Sequence, residues 1–231
     1  MSNFASAAKQ LIASPPRARY NGANQLGAAV AQHSENKTEG GHVDSQSVGA
    51  SMSLAMCNAA AFGDISLMER LLSSGADVSG AAARPSKKTP LIYAAESGDE
   101  NAAELAIEWL ARAGADLNAL DASGRSALMT AAALGRTAAV KLLLRLGAGV
   151  DCASADGKTA LHFAAKAGAF EAAACLLAAG ANALAVSASG KDPRSIARDE
   201  RMIQLLLAAE ERSLLGAATG SGLGPAPRRA L

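Results

Sequence analysis

Two glycine-containing motifs come closest to phosphate-binding chemistry in this chain. Gly157-Lys158-Thr159 has the form of the end of a phosphate loop, in which the lysine contacts the phosphates. Such a loop needs a glycine five residues upstream, where Cys152 stands, and the tripeptide also recurs elsewhere as a turn. Gly220–Gly224 has no preceding strand, so it does not fit a dinucleotide site. We therefore expect neither motif to bind a cofactor.

The histidines and cysteines lack the spacing of a catalytic or metal-binding site. Cys57, Cys152 and Cys175 are odd in number and widely separated, which favours buried free thiols in a reducing compartment. His162 stands alone, and a lone histidine is more often structural than catalytic. Neither a Gly-x-Ser-x-Gly nor a His-Glu-x-x-His pattern is present. The sequence thus predicts no catalytic residue, no metal and no cofactor.

The composition argues against nucleic acid or a membrane as the partner. The formal net charge is +1 and aromatic residues make up 3% of the chain, which leaves little for electrostatic attraction or base stacking. No apolar run approaches the roughly 18 residues that a membrane span requires. We expect a protein partner, and a chain that is a monomer on its own.

The strongest pattern is a repeat of fixed length. The segment Gly124–Leu128 returns as Gly157–Leu161, and in weaker form from Gly190, at intervals of 33 residues. A Gly-Ala pair keeps the same interval, at Gly114, Gly147 and Gly180. Repeats of this period predict a solenoid of stacked units, none of which buries its apolar face alone.

Each unit reads as a turn, a short helix, a loop and a second helix. In the unit that begins at Gly157, Asp156-Gly157 is a turn dipeptide and Thr159 is a candidate helix N-cap. Gly168 suits the left-handed residue that ends a helix, and the second helix then runs towards Gly180. Alanine pairs in the first helix allow close helix approach, and leucines of the second helix fill the space between layers.

These units resemble the ankyrin repeat. Its Thr-Pro-Leu-His-x-Ala-Ala-x-x-Gly pattern is matched by segments that begin at Thr89, Ser126 and Thr159. Gly75-Ala76-Asp77 and Gly114-Ala115-Asp116 match the start of the family's hairpin. The resemblance covers residues 54 to 210. It implies an all-α solenoid of stacked helix-turn-helix units with projecting β-hairpin turns and a concave helical groove, and it places His162 in hydrogen bonds within and between turns.

Five units are expected, of which the first and last are atypical caps: 54–86, 87–123, 124–156, 157–189 and 190 to about 210. The array is assigned to residues 51–212, followed by a flexible tail over 213–231. The second unit has four more residues than the first, third and fourth between its two glycines, which predicts one added helical turn. Trp109 lies in this longer unit, where it either packs under the added turn or stands on the outer surface as an anchor.

Residues 1–50 form an arm without any match to the repeat, rich in Ser, Asn, Gln, Ala and Gly. Its composition is typical of disorder. It has no acidic residue up to Ser34, contains Lys9, Arg17 and Arg19, and places Phe4, Ala8, Leu11 and Ile12 on one helical face. Those features are also typical of an organellar transit peptide. We expect a cytoplasmic protein, with a mitochondrial location as the alternative and a nuclear one left open.

The resemblance implies that partner contacts come from the hairpin tips and from the two residues before the first-helix glycine. Four basic residues take one equivalent position at successive tips: Lys88, Arg125, Lys158 and Lys191. They form either a charge-balanced edge or a basic row that meets acidic side chains of a partner. The groove candidates are Phe62, Glu96, Ser97, Leu134 and Lys166, and of these Phe62 and Leu134 could be apolar hot spots.

Asn118, with Leu110 eight residues before it, looks like an acceptor for the family's asparaginyl hydroxylase. Two functions remain open at this point. The first is a non-catalytic module that binds a partner protein through the groove and tips. The second is a regulatory or accessory subunit that inhibits or positions a partner enzyme.

Overall fold

The structure, a computed structural model, describes residues 45–80 and 85–218, with side chains over 49–80 and 85–215. In chain order its helices are α1 Ser45–Phe62, α2 Ile65–Ser73, α3 Pro90–Glu96, α4 Glu100–Arg112, α5 Ala127–Ala133, α6 Thr137–Arg145, α7 Ala160–Ala167, α8 Phe170–Ala178, α9 Pro193–Ile196 and α10 Glu200–Ala218. No strand occurs in these ranges.

The helices form two stacked rows, which confirms the predicted solenoid. The first row contains the odd-numbered helices α1 to α9 and the second row contains the even-numbered helices α2 to α10. Within each row every helix contacts the next one, and the two helices of a unit contact each other. This is the arrangement in which each unit completes the apolar core of its neighbour.

The core has the composition that the repeat predicted. The alanine pairs of the first row are almost fully buried: Ala94-Ala95, Ala131-Ala132 and Ala164-Ala165. Leu110, Leu143 and Leu176, one per unit in the second row, are each 0% exposed. Small residues thus bring the first-row helices close, and leucines fill the space between layers.

Four of the first-row helices, α3, α5, α7 and α9, begin at side-chain caps. Ser126 accepts a hydrogen bond from the Met129 N–H at 3.3 Å, and Asp192 accepts one from Ser195 at 2.7 Å. Thr159 forms a capping box with His162. Gly168 ends α7 in the left-handed conformation with φ of 70°, as the sequence indicated.

The second unit differs from the others in its second helix, as its four additional residues predicted. Helix α4 has 13 residues, whereas α2, α6 and α8 have 9 each. Asp99 caps α4 by accepting from the Asn101 and Ala102 N–H groups. The added turn is confirmed. Trp109 is half-buried and packs against the core, so it lies between the two alternatives, neither fully covered nor fully on the surface.

The helical region is longer at both ends than the predicted array of 51–212. Helix α1 begins at Ser45, because the first unit has no Thr-Pro pair to start its helix at the repeat position. Helix α10 continues to Ala218, because the last unit lacks the Gly-Ala pair that ends the second helix of the other units. The rest of the arm and the end of the tail lie outside the described residues.

None of the three cysteines forms a disulfide, and only Cys57 is buried. Cys152 and Cys175 are half-buried, so the expectation of three buried thiols holds for one of them. Both residues lie at the edge of the core and pack against it from one side.

Candidate functional site

The projecting turns are tied to one another in a row by backbone hydrogen bonds. The Ala122 N–H donates to the Ser86 carbonyl at 2.8 Å, and the Ala188 N–H donates to Asp156 at 2.9 Å. A longer bond of 3.4 Å joins Ala155 to Ser123 in the same way. Each turn is therefore held against the turn of the next unit, and its side chains take fixed positions along the row.

In three of the turns, one buried side chain holds the turn closed. Asp121, which is 7% exposed, accepts from the backbone N–H groups of Ser123 at 2.7 Å and Arg125 at 2.9 Å. Ser154 accepts from the Lys158 N–H at 3.1 Å, and Ser187 accepts from the Lys191 N–H at 3.2 Å. The same position thus orients three basic residues of the row, Arg125, Lys158 and Lys191.

Three of the four basic residues are paired within the chain. Lys88 forms an ion pair with Glu96 and lies over the Tyr93 ring, 5.7 Å from its centre. Arg125 Nη2 lies 3.5 Å from the carboxylate of the buried Asp121. The tip candidate Lys88 and the groove candidate Glu96 therefore neutralise each other.

The charge that remains lies at the far end of the row. Lys158 Nζ pairs with the exposed Asp156 at 3.1 Å, a contact that water screens strongly. Lys191 is exposed and has no ion pair among the described residues. Lys166, on α7, is likewise exposed and unpaired within the described part of the chain. Among these candidates, the positive charge that is not neutralised by a buried partner therefore lies in the fourth unit and in the shortened last unit.

The groove candidates separate into exposed and buried residues. Phe62 is 40% exposed and Leu134 is 51% exposed, although Ala60 and Ala132 nearby are fully buried. Ser97, which stands between them in the stack, is 9% exposed and accepts from the Asp99 N–H at 3.3 Å. Ser97 is therefore not part of the candidate surface, because its side chain is buried and bonded within the loop of the lengthened unit.

Sequence reasoning missed an apolar row on the turns. Leu120 is 47% exposed and Val186 is 61% exposed, and the exposed Ala153 stands between them. The three residues are spaced by 33, each directly before the residue that closes its turn. That spacing is a signal the sequence offered, since apolar residues on an otherwise polar turn are candidates for a contact.

Asn118 takes part in a second set of hydrogen bonds between units, which join the loops after the second-row helices. Its side-chain oxygen accepts from the Gly149 N–H of the next unit at 2.8 Å. Ser79 and Asp151 make the equivalent links to Asp116 and Asn182. Asn118 is exposed, and its amide oxygen has a structural task whether or not the side chain is modified.

His162 is a structural group at the base of the turns. Its Nδ1 accepts from the Thr159 N–H at 3.1 Å, so Nε2 carries the proton and donates to the Lys191 carbonyl at 3.1 Å. Burial lowers the pKa of His162 below its ordinary value, against the raising effects of the Lys191 carbonyl and the Asp192 charge. Hydrogen bonds from Ser195 lower the pKa of Asp192. Both residues are thus held in the forms that link and cap these elements.

The described residues offer little for chemistry on a small molecule. An open depression of about 430 Å³ lies between Phe170, Glu200, Arg201, Gln204 and Leu205, where the Arg201 guanidinium covers the Phe170 ring at 4.7 Å. Within the described ranges, no three His, Cys, Asp or Glu side chains meet in a group that could hold a metal ion. None of the described helices has the length and apolar character to cross a bilayer.

Comparison with known proteins identifies the repeat. A family model described as ankyrin repeats (3 copies) matches residues 56–153 and, again, 103–187, which together cover more than half of the chain. No curated protein matches the chain.

Proposed function

The chain belongs to the ankyrin-repeat family, whose members are generally protein–protein interaction modules, and from this premise we propose that it is a non-catalytic module that binds a partner protein along its groove and turns. The observation that carries the proposal is the exposure of large apolar residues at repeated positions. Phe62 and Leu134 stand out from a buried first row, and Leu120 and Val186 stand out from the turns. Exposed apolar side chains in register are typical of contact anchors.

The spacing of the groove anchors defines the partner. Phe62 and Leu134 take the same position in the first and third units, with one unit between them. Packed helices lie about 8–10 Å apart, so the two anchors are separated by about 16–20 Å. A partner helix of about 11–13 residues, or an extended strand of about six, spans that distance.

The charges define the orientation of the partner. Glu96 in the second unit is neutralised by Lys88, whereas Lys166 and Lys191 are unpaired among the described residues. We propose a partner segment with two apolar anchors, followed by acidic side chains that meet Lys166 and Lys191. Complementary charge of this kind raises the association rate and selects among partners more than it adds affinity.

Affinity capture from cell extract with matched variants tests this function. Leu134→Asp and the pair Lys166→Glu with Lys191→Glu should each reduce recovery of the partner. Leu72→Asp and Lys141→Glu are the controls, because both residues are exposed on second-row helices. Equal recovery with the wild-type chain, the site variants and the controls contradicts the proposed surface.

The same capture separates a general interaction module from a regulatory or accessory subunit. An enzyme recovered in fixed stoichiometry, and lost with Leu134→Asp, supports the regulatory role. Several unrelated proteins, all lost with the same variant, support a general binding module.

A further inference from the structure

The outward face of the lengthened helix α4 carries an apolar edge beside an acidic edge. Successive residues of a helix turn by about 100°, so Leu105 and Trp109 share one edge of the exposed face and Glu104 and Glu108 share the other. Leu105 is 55% exposed, and Trp109 is half-buried. An isolated exposed leucine is ordinary, but a leucine next to the only tryptophan of the chain forms a patch.

The acidic edge is neutralised only at Glu108 among the described residues. Glu100 and Glu104 form no ion pair among the described residues. Glu108 pairs with Arg112 at 3.1 Å, where both side chains are largely exposed. The surrounding units are acidic as well. Residues 54–123 contain ten acidic and five basic side chains, whereas residues 124–210 contain seven and ten. The acidic half of the stack therefore favours a basic occupant.

The chain itself contains a segment with the complementary composition. Residues 1–34 include no acidic residue and three basic ones, Lys9, Arg17 and Arg19. Phe4, Leu11 and Ile12 supply apolar side chains beside them. The segment thus pairs apolar with basic residues, as α4 pairs apolar with acidic ones.

The connection between the two is long enough. The 26 residues from Arg19 to the start of α1 at Ser45 span up to about 85 Å when extended. Helix α1 packs directly against α4, so the tether begins on an element that adjoins the helix of the proposed site. Tethering in one chain gives an effective concentration that reaches about the millimolar range for short flexible linkers, so weak contacts suffice.

We propose that residues 4–19 of the N-terminal arm dock on the outward face of α4. The apolar side chains of the segment cover Leu105 and Trp109, and Lys9, Arg17 and Arg19 lie against Glu100, Glu104 and Glu108. The docked arm shields an apolar patch on the second row of helices, away from the groove and the turns.

Zero-length carbodiimide cross-linking of the full chain at low salt tests the contact directly. Lys9 should cross-link to Glu100, Glu104 or Glu108, and salt of about 0.5 M should suppress the product, since the Debye length then falls to about 4–5 Å. The exposed Glu171 and Glu211 are internal controls. Cross-links from Lys9 to these controls at the same frequency would overturn the proposal. So would products that join heavy-isotope and light-isotope chains in a mixture, because they would place the arm on a second copy.

Fluorescence of Trp109, the single tryptophan, provides a second readout. The triple variant Lys9→Glu, Arg17→Glu, Arg19→Glu should make Trp109 more accessible to acrylamide quenching. Adding Glu100→Lys, Glu104→Lys and Glu108→Lys should restore the protection, whereas adding Glu171→Lys and Glu211→Lys should not. Quenching that is identical in all of these chains would overturn the proposal.

Discussion

At the scale of single residues, two different side chains close the turns at the same repeat position. Asp121 uses a buried carboxylate, and Ser154 and Ser187 use a hydroxyl, to accept the N–H of the basic residue four positions on. The carboxylate accepts a second N–H, from Ser123, and faces the Arg125 guanidinium. The turn thus needs a hydrogen-bond acceptor at this position. The negative charge of Asp121 adds a contact with Arg125 that the two serines do not make.

This difference predicts the effects of two substitutions. Asp121→Ala leaves two backbone donors without their acceptor and should lower the free energy of unfolding by about 1.5–3 kcal/mol. Asp121→Ser reproduces what Ser154 and Ser187 do in the next turns and should cost less than about 1 kcal/mol. Urea unfolding of both variants measures the costs. Equal losses in the two variants would mean that the carboxylate, and not an acceptor in general, holds this turn.

His162 predicts a dependence of stability on pH. Burial lowers its pKa in the folded state, so the unfolded chain takes up a proton first as the pH falls. Stability from this group is therefore full above the unfolded-state pKa of about 6.5, and it decreases as the pH falls through the folded-state pKa.

His162→Leu isolates that contribution, because leucine has neither a titrating group nor a hydrogen-bonding one. At pH 7.5 the variant should be less stable by about 1–3 kcal/mol, because the Thr159 N–H and the Lys191 carbonyl lose a buried partner. The difference between wild type and variant should shrink below pH 6.5. His33 and His42 are common to both chains and cancel in the comparison. A difference that is constant between pH 7.5 and 5 would contradict the assigned cause.

At the scale of the elements, the second-row helices provide the apolar filling of the stack. Leu143 on α6 is 0% exposed and lies at the repeat position of Leu110 and Leu176. Leu143→Ala should cost about 2–5 kcal/mol, since it removes a large side chain between two layers. Leu72→Ala on α2 is the control: its side chain is 41% exposed and should cost about 0.5 kcal/mol or less. Thermal or urea unfolding measures both losses, and similar values would contradict the packing described for α6.

At the scale of the whole molecule, the turns couple one unit to the next. Gly157 and Gly190 occupy the same position in successive turns and have nearly the same φ, 71° and 74°. A Cβ at Gly157 would lie 2.9 Å from the Ala188 backbone nitrogen of the following turn, whereas a Cβ at Gly190 would meet nothing within 4 Å. The two glycines thus differ only in whether another turn is stacked on them.

The coupling between units can be measured as the difference in stability cost between an alanine at Gly157 and one at Gly190. Gly190→Ala should cost about 1–2 kcal/mol, the strain of an alanine at positive φ. Gly157→Ala should cost about 1–3 kcal/mol more, because the Cβ also pushes against the next turn. Chemical unfolding gives both values. Equal costs would show that the turns adjust freely and that the row is not rigid.

The amino-acid sequence determined the repeat, the order of elements within each unit and the longer α4. These follow from local causes: glycines that adopt positive φ, Thr and Ser side chains that cap helices, and leucines that return every 33 residues to the same buried position. The caps at the two ends were also readable, although α1 begins earlier and α10 ends later than the pattern indicated. The first unit has no Thr-Pro pair to start its helix, and the last unit has no Gly-Ala pair at the repeat position to end its helix.

The tertiary structure decided which of the candidate side chains are exposed and which are buried or used in ion pairs. Lys88, Glu96 and Arg125 are used in pairs within the chain, and Ser97 is buried in its loop, whereas Phe62, Leu134, Lys166 and Lys191 stay exposed. Local sequence could not separate these sets, because each pairing depends on how far the backbone turns between residues such as Lys88 and Glu96, and on how closely neighbouring units stack. The exposure of these side chains and the balance of their charges depend on how the units pack, and only the tertiary structure fixes that packing.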